Sequence, residues 1–269
     1  MSKRSVIGTL KAAALAAALL GGCTMPPVSQ GPAADAPDRS PPTASGSFLA
    51  ALHAQRERDV TAAAQYIARA LEADPDSFDF LLRAHSSMIE AGRIDEAAAL
   101  AARIVRVNSG FAPAHLTLAV SELKSGYNEL ARNRLAGLPI QGINRIVHPL
   151  LQGWIEMALD RPAAAIIALR PVQEVQGFRS LHDYHVGLVN ELAGRFADAE
   201  EAYRRALDGD GGAPPRLIEA FGGFLERRGR TADARNLYLR FRAQNPESPV
   251  IRQGLQRTAA GGPPGPAPA

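Results

Sequence analysis

Cysteine occurs once in the 269 residues, at position 23, so no internal disulfide can close and no thiolate metal cluster is available. Aromatic residues make up only 6% of the chain, with Trp154 the single tryptophan. That scarcity, beside abundant alanine and leucine, argues against a sheet rich in β-branched and aromatic side chains and for closely packed helices. A charge excess is also missing. The formal charge of +3 is carried by Lys3, Arg4 and Lys11, and beyond residue 22 there remain 27 basic and 27 acidic residues. A balanced body lacks the electrostatic footprint of a nucleic-acid or anionic-surface binder, and no aromatics interleave with basic residues as a stacking platform requires. HEXXH, a Walker loop, a dinucleotide fingerprint and a GxSxG elbow are all absent. His182 and His185 have the spacing of a helical metal pair, but no third ligand accompanies them, so packing or a polar contact is the better account and no metal or cofactor is expected. Carboxylates are plentiful, yet most sit beside arginine, as in AEEAYRRAL, and read as solvated helix surface.

The N-terminus carries an address. Lys3 and Arg4 precede an apolar, alanine-rich stretch from Val6 to Leu20 that Lys11 interrupts. A membrane-spanning helix needs about 20 uninterrupted apolar residues, so residues 1–22 read as a signal peptide. The run Leu20-Gly21-Gly22-Cys23 resembles the bacterial lipobox. That resemblance implies acylation of Cys23, with several acyl chains giving a stable membrane anchor. Thr24, in place of an aspartate that would retain the protein at the inner membrane, implies the periplasmic face of the outer membrane. Residues 23–46, rich in Pro, Ala and Ser, cannot build a core and read as a disordered tether. The tail 261–269, GGPPGPAPA, reads as disordered for the same reason.

Between these ends lies a repeat. Ala63, Ala97, Ala131, Ala165, Ala199 and Ala234 are separated by 34, 34, 34, 34 and 35 residues. Five positions before each stands a turn residue: Arg58, Gly92, Gly126, Asp160, Gly194 and Gly229. Twelve before each stand Ala51, His85, Ala119, Gly153, Gly187 and Gly222, small in all but one case. Antiparallel helices approach closely only where side chains are small, and glycine ends a helix sharply. Tyr203 and Tyr238 lie four residues after the alanine, Pro75 and Pro246 twelve after. These columns resemble the tetratricopeptide repeat (TPR). The resemblance implies an all-α fold, a right-handed superhelical solenoid of about six helical hairpins over 44–248, with units at 44–77, 78–111, 112–145, 146–179, 180–214 and 215–248. A capping helix at 248–260 is expected to cover the exposed end. Pro171 is expected to shorten or kink the second helix of the fourth unit, and the extra residue before the sixth fits a loop insertion at Asp208–Gly212.

In that family the first helices line a groove. By resemblance the groove-facing positions are Leu82, Ser86, Ile89, Leu116, Val120, Leu123, Leu150, Trp154, Met157, Tyr184, Leu188 and Glu191. A large apolar side chain on a helix is more often core than interface, and a shift of one position would turn Trp154 inward. The expected function is a non-catalytic scaffold, lipid-anchored through Cys23, that binds extended or helical segments of envelope proteins between the third and fifth repeats, with Trp154, Tyr184 and Leu188 as anchors. The alternative is an enzyme or accessory subunit of polysaccharide or peptidoglycan processing, marked by strongly raised carboxyl pKa values in one pocket. A third reading is self-association, marked by an exposed apolar end helix.

Overall fold

The computed structural model describes residues 43–209 and 213–268. The expected signal peptide, Cys23 and most of the tether lie outside the described residues, as do 210–212 of the inserted loop. Among the described residues there are thirteen α-helices and no strand. They pair as α1 (Ala44–Arg56) with α2 (Val60–Ala73), α3 (Phe78–Glu90) with α4 (Ile94–Val107), α5 (Ala112–Lys124) with α6 (Asn128–Leu135), α7 (Asn144–Ala158) with α8 (Pro162–Gln173), α9 (Arg179–Leu192) with α10 (Phe196–Leu207), and α11 (Pro215–Arg227) with α12 (Thr231–Arg242). A thirteenth helix, α13 (Pro249–Ala260), follows alone. Each helix packs on the next in sequence, and α5 with α7, α9 with α11 and α11 with α13 add contacts between neighbouring first helices. The architecture is therefore an all-helical solenoid in which each repeat rests on its neighbours. None of these helices is long and apolar enough to cross a membrane.

The repeat columns have physical causes. All six turn residues adopt a left-handed backbone, with φ between 59° and 81°, including Arg58 and Asp160. At each turn the next residue's N–H reaches back five positions, as from Arg93 to the Met88 carbonyl at 2.8 Å and from Arg230 to the Leu225 carbonyl at 2.8 Å. This caps the first helix and reverses the chain within three residues. The six alanines are at most 1% exposed and sit where the two helices of each hairpin touch. The small column opposite them makes room for large partners. A Cβ on Gly222 would lie 2.3 Å from the Tyr238 ring, and one on Gly187 would lie 2.6 Å from Tyr203. His85, the exception in that column, is buried and its Nε2 pairs with Thr117 Oγ1 of α5 at 2.9 Å, spending its polarity on the junction between repeats.

The expectation for Pro171 needs correction. Pro171 does not shorten α8, which runs twelve residues, the same as α10 and α12. Pro171 sits in its last turn and is exposed, so little helix is left for it to disturb. The short helix is instead α6, at eight residues, and the proline within a helix body is Pro149 of α7. The segment after α13 makes hydrogen bonds at a buried Gly265.

Candidate functional site

The first helices α7, α9 and α11 place a row of side chains on one face at helical spacing. Trp154 comes from α7, Tyr184 and Leu188 from α9, and Arg216, Glu219, Ala220 and Arg227 from α11. Together they line a cavity of about 360 Å³, whose remaining wall is Pro266, Ala267 and Pro268. Trp154 is half-buried, and its Nε1–H donates to His185 Nδ1 at 3.1 Å, which links α7 to α9. The indole meets the His185 ring edge-on at 5.7 Å, and Tyr184 meets it at 5.1 Å. Burial pulls the His185 pKa down to about 4, helped by the neighbouring charge of His182, so the ring is neutral and free to accept. Burial also raises the Tyr184 phenol, with Glu219 adding and Arg216 opposing.

The other expected groove residues are spread along the array. Ile89 and Val120 are exposed, whereas Leu82 and Leu116 are half-buried against the cores of the first three units. Leu150 and Met157 pack against the core of the fourth and fifth. Leu188 lines the cavity while remaining only 8% exposed, so it is wall more than free surface.

Below the cavity runs a ladder of buried carboxylates. Glu191 accepts from Tyr203 Oη at 2.8 Å and from Arg227 Nε at 2.9 Å. Glu226 repeats the arrangement one unit later, accepting from Tyr238 Oη at 2.7 Å and from Arg257 Nε at 3.0 Å. In both cases the tyrosine belongs to the same hairpin, twelve residues on, and the arginine to the next first-position helix. Burial disfavours charge on Glu226, but the hydrogen bonds from Arg257, Tyr238 and Gly265 outweigh it and hold the carboxyl below its ordinary range. Asp183 and Glu200 are likewise lowered: burial opposes, while His182 and Arg205 favour the anion on the first and Arg230 and Arg204 on the second. As anions, Glu191, Glu200 and Glu226 tie one repeat to the next, while Asp183 ties α9 to α10 within its own hairpin. The Glu-to-Tyr spacing of twelve, occurring twice in register, was the sequence signal for this ladder. Nothing local marked His185 as the acceptor of Trp154.

The family model for the tetratricopeptide repeat matches residues 48–113 and 150–214. The unmatched stretch between them contains the short α6. Among solved structures the fold is similar to PilW, a widely conserved type IV pilus biogenesis factor, with TM-score 0.59 at 14% identity, covering 79% of this chain and 98% of that one. It is also similar to PilF of Pseudomonas aeruginosa, with TM-score 0.52 at 16% identity, covering 81% and 97%. Against a chain of the APC/C hetero-tetramer Cut9–Hcn1 the TM-score is 0.55 at 15% identity, over 82% of this chain but 44% of that chain. No curated protein sequence matches. Residues 48–113 and 150–214 thus match the tetratricopeptide repeat, and the described helices as a whole share the fold of these solenoids.

Proposed function

We propose that this chain is a lipid-anchored scaffold of the bacterial envelope that binds segments of other envelope proteins along its first-helix face and recruits them without catalysing a reaction. The observation that carries the reading is the cavity at Trp154, Tyr184 and Leu188, a concave surface of mixed polarity that Arg216, Glu219 and Arg227 also line. An aromatic anchor beside a few charged groups suits peptide recognition. Glu191 and Glu226 nearby are engaged by arginine and tyrosine, which supports a structural role for them. Leu20-Gly21-Gly22-Cys23 supports a lipid anchor and Thr24 the outer membrane as its destination, and the pilus role of PilW makes pilus assembly the first pathway to test.

The test is a crosslinked capture from cell envelopes with the acylated protein beside a Cys23→Ser control, the captured proteins being identified by mass spectrometry. A small reproducible set, lost in the control, is expected. An identical set in both would remove the anchor from the proposal, and no reproducible set would remove the scaffold. For a captured partner, Trp154→Ala should weaken binding by tenfold or more, the size of effect that a central aromatic carries. Unchanged affinity by titration calorimetry would reject Trp154 as an anchor.

A further inference from the structure

We infer that the face of α9 and α11 beside Trp154 and Tyr184 is a site for an extended, proline-rich peptide read through its backbone, and that residues 263–268 of this chain dock on it in cis, forming one wall of the cavity. Gly261 ends α13 with φ of 62°, and the Gly262 N–H returns to the Arg257 carbonyl at 3.1 Å, turning the chain back toward α11. From there three backbone groups of the segment are met by side chains of α11. The Gly265 N–H donates to Glu226 Oε2 at 2.9 Å, and Arg227 Nη1 donates to the Gly265 carbonyl at 2.9 Å and to the Pro266 carbonyl. Pro266, Ala267 and Pro268 then share the cavity with Trp154, Tyr184 and Leu188.

Three features make this a fitted contact. Prolines at 263, 264, 266 and 268 restrict φ before docking, so little freedom is lost when the segment is held, and proline against aromatic walls is the chemistry of polyproline recognition. Gly265 is buried where its Cβ would stand 3.1 Å from the Cα of Gly223 and 3.1 Å from Arg257 Nη2, so a larger side chain there meets backbone as well as side chain. Arg227 and Glu226 are already fixed by the carboxylate ladder, which presents their remaining hydrogen-bonding capacity to the segment without further ordering. An envelope partner that takes the same hydrogen bonds from Arg227 and to Glu226 must displace residues 263–268. That competition rests on the scaffold reading, whereas docking in cis does not.

The experiment uses the full chain and needs no partner. Trp154, the single tryptophan, reports occupancy by fluorescence, and the probe is the synthetic peptide GGPPGPAPA. A tethered segment meets its site at an effective concentration in the millimolar range. The peptide should therefore bind the G265V protein at least about tenfold more tightly than wild type, with G265A intermediate and thermal melting confirming that all three proteins fold. A peptide itself carrying G265V should not bind. In wild type the Gly265 amide should exchange slowly with solvent. Equal binding to wild type and G265V, binding to neither, equal binding of the substituted peptide, or a freely exchanging Gly265 amide would each overturn the assignment.

Discussion

Glu226 is a carboxylate with almost no water around it, and its four hydrogen-bond donors are Tyr238 Oη, Arg257 Nε and Nη2, and the Gly265 N–H. Removing one donor leaves part of a buried charge unanswered, which costs more than an average hydrogen bond contributes. Tyr238→Phe should lower stability by about 1–3 kcal/mol in urea unfolding; a change near zero would mean that water replaces the hydroxyl. His185 offers a pH test. Its folded pKa of about 4 lies below its ordinary value, so the unfolded chain takes up a proton first as pH falls. The contribution of neutral His185 is complete above about pH 6.5 and declines from there toward pH 4. An NMR titration should place the ring's midpoint near 4 and show the Trp154 indole N–H signal moving with it, since a protonated Nδ1 can no longer accept. A midpoint near 6.5 would mean that the ring is open to solvent and the bond to Trp154 absent.

Among the elements, the hairpin turns show how backbone geometry selects residues. Four of the six left-handed turn positions hold glycine, and Arg58 and Asp160 hold the same conformation at a steric cost. Arg58→Gly should therefore stabilise the first hairpin by up to about 1 kcal/mol, the left-handed strain relieved less the extra freedom glycine gains when unfolded. A loss of stability in thermal melting would show that the Arg58 side chain makes an offsetting contact. These turns, the buried alanines and the small column were legible in the sequence because each depends on backbone geometry that recurs every 34 residues. The position of Pro171 was legible and its effect was not, because a proline perturbs a helix by the number of turns that follow it, and here almost none does. The groove was legible only as a set of positions. Which side chains meet across it depends on helices some 30 residues apart, as with Trp154 and His185, so no local pattern encodes the pairing. The tail's contacts were not legible, because composition shows that a segment cannot form its own core and says nothing of whether a neighbouring helix presents arginine and glutamate to its backbone.

For the whole molecule, stability is set by neighbour-to-neighbour contacts, and a solenoid is as cooperative as its weakest junction. The terminal junction is well supplied: α13 packs on α11 and α12, buries Ile251, brings Gly254 against the Tyr238 ring and sends Arg257 to Glu226. The core of the fifth and sixth units is correspondingly rich, with Tyr203, Phe221, Phe224, Tyr238 and Phe241 all buried. The third unit is the opposite. Helix α6 has eight residues and contributes only Ala131 and Leu135 to the buried core, and the following stretch to Ile143 is exposed apart from a half-buried Leu138. A short helix with two buried side chains recovers little of the entropy lost in ordering it. Native-state hydrogen exchange should therefore find α6 opening at a lower free energy than α9 to α12, and limited trypsin digestion should cut first between Arg132 and Arg145. Because repeats on either side keep their own cores, the array should then melt in two steps, the units before α6 separating from those after it. Uniform protection from α1 to α13 and a single coincident transition would show instead that α5 packing directly on α7, a contact that bypasses α6, suffices to couple the two halves.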